Sequence, residues 1–137
     1  MKYRIGHMAY RTQNMEAALD FYTRGLEFPH LFSIEDNEGK PWIEYLGTPD
    51  GKFIELFHPT ASEQPAGGGY LHLCLEVDDC AAAVAELEKK GIAIDRYVSM
   101  GKDGNYQAWI KDPDGRDIEI MQLGEGSNQG AYRDSLK

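Results

Sequence analysis

Apolar and polar residues alternate along several short stretches of the chain and recur at helical spacing along two others. In Leu71-His72-Leu73-Cys74-Leu75-Glu76-Val77 the leucines and the valine form one row, and His72, Cys74 and Glu76 form the other. That two-residue period is the mark of a strand packed on one face only. Glu55 lies opposite Ile54 and Leu56 in the same way, and Glu119 lies opposite Ile118 and Ile120. His7 falls opposite Met8, in a less cleanly patterned strand. By contrast, Met15, Ala18, Leu19 and Tyr22 share one face of a helix over residues 15–24, with Asn14 as its N-cap and Gly25 as its C′ glycine. Cys80, Ala83, Val84 and Leu87 do the same for a helix over 79–90, capped by Asp78 and Gly91.

Strands are expected at 3–11, then near 31–35, 41–47 and 52–58, and again at 70–77, 93–98, 105–111 and 117–123. Pro49-Asp50-Gly51 and Pro113-Asp114-Gly115 are turn signals joining the last two strands of each set. The order is βαβββ, twice. The sequence itself repeats: Thr48–Leu56 returns as Asp112–Ile120, with Glu55 answered by Glu119 at an offset of 119 − 55 = 64. His7 is answered by His72 at 72 − 7 = 65. The expected organisation is one α+β domain over 1–137: a first module at about 1–60, a linker at about 61–69 containing Gly67-Gly68-Gly69, a second module at about 70–123, and a loosely held polar tail, 124–137.

Composition narrows the function. A chain of 137 residues that is 42% hydrophobic can build the core of one compact domain. It holds no apolar run long enough to cross a bilayer, and no secretory h-region follows Met1-Lys2-Tyr3-Arg4. Cys74 and Cys80 make neither a disulfide framework nor a zinc knuckle, so a cytoplasmic protein is expected. A formal charge of −9 argues against nucleic acid or an anionic membrane as partner, since both need a basic surface.

The repeat gives meaning to four residues. A single strand His or Glu is usually a surface or satisfied side chain, but His7, Glu55, His72 and Glu119 recur in register and all lie opposite the apolar row. Two imidazoles and two carboxylates suit a divalent first-row cation such as Ni, Zn, Co, Mn or Fe. Without thiolates a closed structural zinc site is not expected, and four protein donors on an octahedral ion leave positions for water or substrate.

These motifs resemble the glyoxalase, bleomycin-resistance and extradiol dioxygenase superfamily, also called vicinal oxygen chelate proteins. The carrying segments are His7 with Ala17-Ala18-Leu19-Asp20-Phe21-Tyr22, Phe53–Phe57, Tyr70–Asp79 and Asp112–Ile120, which span nearly the whole chain. The resemblance implies paired βαβββ modules forming an open, cupped barrel with helices outside and the metal on the concave face, often within a homodimer. The His-Glu-His-Glu order is similar to that of lactoylglutathione lyases, which isomerise a 2-oxoaldehyde–thiol hemithioacetal through an enediolate. Iron dioxygenases and thiol transferases of the superfamily would use His7, His72 and Glu119 alone. Bleomycin-resistance relatives sequester a drug without metal. The lyase reading makes Glu119 the first choice as base and Glu55 its partner, two roles the sequence does not separate. It places Arg11, four residues after the first donor, on the glutathione moiety, with a surface ion pair as the alternative role for that arginine. Where those lyases carry an asparagine after the second donor, this chain reads Phe57-His58-Pro59.

The remaining candidates are weaker. Cys74 shares the face of His72 as a pocket residue or a small filler. Trp42, Tyr45, Tyr106 and Trp109 are core residues or a pocket wall, and His30 and His58 read as surface histidines.

Overall fold

The structure, a computed structural model, describes residues 5, 7–60, 70 and 72–137. The expected glycine linker lies outside the described residues apart from Thr60 and Tyr70, which flank it. The chain divides into two compact units, Met1–Gly68 and Gly69–Lys137.

In the first unit the elements run β1 (His7–Arg11), α1 (Met15–Asp20), a π-helical turn (Phe21–Gly25), β2 (His30–Glu35), β3 (Pro41–Gly47) and β4 (Phe53–Phe57). In the second they run β5 (Leu73–Glu76), α2 (Cys80–Lys89), β6 (Arg96–Met100), β7 (Tyr106–Lys111), β8 (Asp117–Gln122) and α3 (Asn128–Ser135). The sheet orders are β1-β4-β3-β2 and β5-β8-β7-β6. After its helix, each unit places the next strand at the far edge and returns by two hairpins. The last strand thereby meets the first in parallel: β1 with β4, and β5 with β8. The α+β class and the repeated βαβββ order are those expected. The hairpin turns close by hydrogen bonds from Gly51 N–H to the Thr48 carbonyl at 3.0 Å and from Gly115 N–H to the Asp112 carbonyl at 2.9 Å.

One face of each sheet is packed. In the first unit Tyr10, Ala18, Phe21, Tyr22, Leu46, Ile54 and Leu56 are buried, and the Tyr10 and Tyr22 rings join β1 to the helix with centroids 6.3 Å apart. In the second, Cys80, Val84 and Leu87 are buried, and α2 packs on β6, β7 and β8. The Cys80 thiol donates to the Ile120 carbonyl at 3.4 Å, a buried structural role.

The helix ends differ from expectation in detail. Asn14 caps α1 as expected, accepting from Ala17 N–H at 3.0 Å. Gly25 is not a left-handed terminator. The helix widens at Phe21, with Leu26 N–H bonding to the Phe21 carbonyl at 3.1 Å, and the left-handed residue is Glu27 at φ 61°. The wider turn lets Phe21, Tyr22 and Gly25 all be buried. In the second unit the N-cap is Asp79 rather than Asp78, accepting from Ala82 N–H at 2.9 Å, while Gly91 takes φ 80° after the last turn as expected. The polar tail forms a helix: Ser127 caps α3, and Arg133 forks onto Glu76 with its two nitrogens at 2.6 and 2.5 Å from the carboxylate oxygens. The chain before α3 comes so close to Gly104 that a Cβ at Gly124 would stand 1.7 Å from the Gly104 carbonyl oxygen, so only glycine fits there.

A polar cluster crosses the packed side of the first unit. Glu44 is 6% exposed and shares its face with Leu46 and, across the ladder, Leu56. Its carboxylate accepts from His30 Nε2 at 2.8 Å, from His58 Nε2 at 2.7 Å and from the Ser33 hydroxyl. His30 and His58 are therefore not idle surface residues but the partners that make a buried carboxylate tolerable. Burial alone would raise the Glu44 carboxyl, but the hydrogen bonds from Ser33, His58 and His30 together outweigh it and hold the group below its ordinary 4.5. A depressed folded value stabilises the fold above the ordinary carboxylate range, and that contribution is lost as pH falls through the folded value. In Glu44→Gln the new amide N–H₂ faces a histidine donor. Loss of about 2 kcal/mol is expected near neutral pH, read as a fall in Tm of roughly 5–10 °C. The variant should also lose part of the wild-type drop in stability between pH 5 and 3, measured by thermal melts across pH.

Candidate metal centre

The parallel pairing of first and last strands sets the site. Ala9 stands beside Glu55, and Cys74 stands beside Glu119. In each unit the histidine is two residues earlier on the first strand or its approach, so it shares the face of that neighbour. His7 Nε2 lies 2.8 Å from Glu55 Oε2, and His72 Nε2 lies 3.2 Å from Glu119 Oε2. Both carboxylates are 8% exposed, and their strand neighbours Ile54, Leu56, Ile118 and Ile120 point to the opposite, packed face.

The surroundings repeat too. Tyr45 stands across the antiparallel ladder from Glu55, and Trp109 from Glu119. Desolvation first, and then the neighbouring Glu55 carboxylate, raises the Tyr45 phenol above its usual range. Phe32 stacks on Tyr45 at 4.5 Å. Trp109 meets the His72 ring edge-on at 4.9 Å, and the Arg96 guanidinium lies over the indole at 4.8 Å. Tyr45 and Trp109 thus wall the His–Glu pairs rather than fill the core, and Trp42 and Tyr106 are exposed.

Arg11 shares the face of His7 and Ala9. It lies over the Phe57 ring at 5.5 Å and donates from Nη1 to the His58 carbonyl at 2.9 Å. Four strand residues separate it from His7, about 13 Å along the strand. Cys74 occupies an exposed position beside Glu119. Protein atoms around its sulfur desolvate the thiolate, and Glu119, Glu76 and Asp103 repel it, so the thiol is pushed up to about 12.

Among the described residues no group of three or more His, Cys, Asp or Glu is placed to hold a metal ion; each unit brings together one imidazole and one carboxylate. The pairs fit the donors of a divalent cation. Two donors about 2.1 Å from one ion and at right angles stand about 3 Å apart, which brackets the observed 2.8 and 3.2 Å. The Glu44 cluster differs, because both of its carboxylate oxygens already accept from imidazole or hydroxyl. A sequence signal for Glu44 exists: it is an acid in the same row as Leu46. Nothing in the sequence marks Arg96 as the residue that stacks on Trp109.

Comparison with known proteins agrees with this geometry. Residues 4–120 match the model of the Glyoxalase/Bleomycin resistance protein/Dioxygenase superfamily. Lactoylglutathione lyase of Neisseria meningitidis serogroup A is 31% identical over 135 residues, covering 95% of this chain and 98% of that one. A probable lactoylglutathione lyase of Vibrio cholerae is 30% identical over 125 residues, covering 88% and 91%. Among solved structures, a superfamily member from Sphaerobacter thermophilus superposes with a TM-score of 0.74 at 23% identity, over 88% of this chain and 98% of that one. The trypanothione-dependent glyoxalase I of Leishmania major does so with a TM-score of 0.73 at 24% identity, over 98% and 96%. With its duplicated βαβββ order and a family match across most of its length, this chain belongs to the Glyoxalase/Bleomycin resistance protein/Dioxygenase superfamily.

Proposed function

We propose that the chain is a metal-dependent lyase of the glyoxalase I type, isomerising the hemithioacetal of a 2-oxoaldehyde and a thiol to the thioester of a 2-hydroxy acid. The observation that carries this reading is the duplicated His–Glu pair, His7 with Glu55 and His72 with Glu119, on the unpacked faces of two like sheets. The names of the Neisseria and Vibrio relatives support glutathione as the thiol. A homodimer is part of the proposal, supported by the apolar residues left exposed on the edge strands β2 and β6, among them Leu31, Phe32, Tyr97 and Met100.

The four side chains would together hold one divalent cation, of Ni, Zn, Co, Mn or Fe, which they suit as a nitrogen and oxygen donor set. When bound, it supplies Lewis acidity for the two vicinal oxygens of the substrate, contributing several kcal/mol as charge develops on them. The chain's own residues do the rest. Glu119 takes the proton from the carbon bearing sulfur, leaving an enediolate, and returns it to the neighbouring carbon, with Glu55 as its partner. No external oxidant or reductant is needed: the carbon-bound proton moves from one carbon to its neighbour, the hydroxyl proton passes from one oxygen to the other, and one carbonyl is exchanged for another. Tyr45 and Trp109 exclude water beside the two carboxylates. Arg11, about 13 Å along β1 from His7, is too distant for a small oxoaldehyde fragment and suits a carboxylate on the far end of an extended thiol.

The decisive assay loads the metal-free protein with Ni, Co, Zn or Mn and follows isomerisation of the methylglyoxal hemithioacetal with glutathione and with other thiols. Turnover is expected with at least one pair. Glu119→Gln should lower kcat by about 10²–10⁴, and Glu55→Gln should lower both kcat and metal affinity. Absence of turnover with every pair would refute the reading. A Glu55→Gln protein that keeps its metal would favour the three-donor chemistry of iron dioxygenases and thiol transferases. A protein with no metal affinity would favour drug sequestration. In the metal-free chain the Cys74 thiol is a poor nucleophile at neutral pH, since burial and the Glu119, Glu76 and Asp103 carboxylates disfavour its thiolate. With its thiol near 12, the chelator-treated protein should react with iodoacetamide at pH 8 roughly a thousandfold more slowly than a free cysteine thiol.

A further inference from the structure

The Glu44 cluster lies on the opposite face of the sheet from Glu55, yet one of its members reaches the substrate side. His58 follows β4, and its imidazole points to the packed face, where Nε2 bonds to Glu44 Oε2 at 2.7 Å. Its backbone N–H donates to the Trp42 carbonyl at 2.9 Å, a second tether on this peptide. Its own carbonyl accepts from Arg11 Nη1 at 2.9 Å. Arg11 is held further by the Phe57 ring beneath it, and Trp42 meets that ring edge-on at 5.8 Å. A chain of contacts therefore runs from a buried carboxylate, through one histidine side chain and its peptide, to the guanidinium on the opposite face.

We infer that Glu44 and His58 are positioning residues for Arg11: the buried carboxylate fixes the His58 peptide, and the His58 carbonyl aims the Arg11 guanidinium at the carboxylate of the thiol substrate. This rests on the proposed function for the identity of the ligand but not for the contact itself. The physical basis is that a long arginine on an open sheet face has several rotamers, and ordering it before binding removes that cost from the binding step. A carbonyl acceptor is suited to this, since it orients the planar guanidinium without neutralising its charge. The two histidines share the work unequally. His30 bonds to the other oxygen of Glu44 at 2.8 Å but sits on edge strand β2, away from Arg11. It holds Glu44, and His58 carries the effect.

The test compares Glu44→Gln, His58→Gln, Arg11→Met and the Glu44→Gln/Arg11→Met double variant in the full-length, metal-loaded chain. Near-UV circular dichroism and metal content verify that each is folded and loaded. Calorimetry with S-methylglutathione and steady-state kinetics with the methylglyoxal–glutathione hemithioacetal are the readouts. Expected are Kd and KM raised about tenfold in Glu44→Gln and in His58→Gln, with kcat changed less than twofold. The double variant should bind no more weakly than Arg11→Met alone. Unchanged Kd and KM, a loss in kcat only, or losses that add in the double variant would overturn the inference. Should Glu44→Gln fail to fold, His58→Gln carries the same prediction. Should the wild-type chain neither bind S-methylglutathione nor turn over the hemithioacetal, the functional reading fails. The positioning is then read from the ¹⁵N resonances of the Arg11 guanidinium, which must shift or broaden in His58→Gln. An unchanged spectrum there would sink the positioning itself.

Discussion

The parallel pairing between the first and last strands of each βαβββ unit is the constraint on which the site depends. A two-residue hairpin cannot make a parallel pair, so the chain must cross over by a helix and return through two further strands. That route covers one face of the sheet with the helix and leaves the other open. It also sets the register: Ala9 beside Glu55 and Cys74 beside Glu119 leave a histidine two residues earlier in each unit, on the open face and within reach of the carboxylate. A slip of one residue would send the carboxylates into the apolar layer and isoleucines outward. Packing of Ile54, Leu56, Ile118 and Ile120 therefore fixes where the donors point, with no separate interaction required.

The first unit carries two carboxylates with opposite assignments. Glu55 faces outward beside one histidine and a tyrosine. Glu44, one strand away, faces inward and is bound by two histidines and a serine. The inward acid is saturated by donors and keeps no oxygen for a cation. The outward acid has one imidazole and a phenol beside it, and retains acceptor capacity for a cation. The surroundings of the two groups decide their use, since the side chains are identical.

Much of this was legible in the sequence because it depends on period and repeat. The alternation around Glu55, His72 and Glu119 gives strand and face together, and the 64- and 65-residue offsets make pairs of single residues. What was not legible depends on contacts across elements. His30 and His58 look like surface histidines because their shared partner, Glu44, is 14 residues from each. The π-helical widening after Asp20 follows from burying Phe21, Tyr22 and Gly25 together, which periodicity at 3.6 does not reveal. The α3 helix has no buried residue and little apolar pattern; it is held by its Ser127 cap and the Arg133–Glu76 fork, a pairing 57 residues apart.

The central claim is that two His–Glu pairs serve one cation. It is tested most directly by metal stoichiometry combined with X-ray absorption on the cobalt- or nickel-loaded protein. The account predicts one ion per chain in a shell of nitrogen and oxygen without sulfur, with affinity lost when either His7 or His72 is changed to alanine. Two ions per chain, retention after either change, or a sulfur from Cys74 in the shell would contradict it.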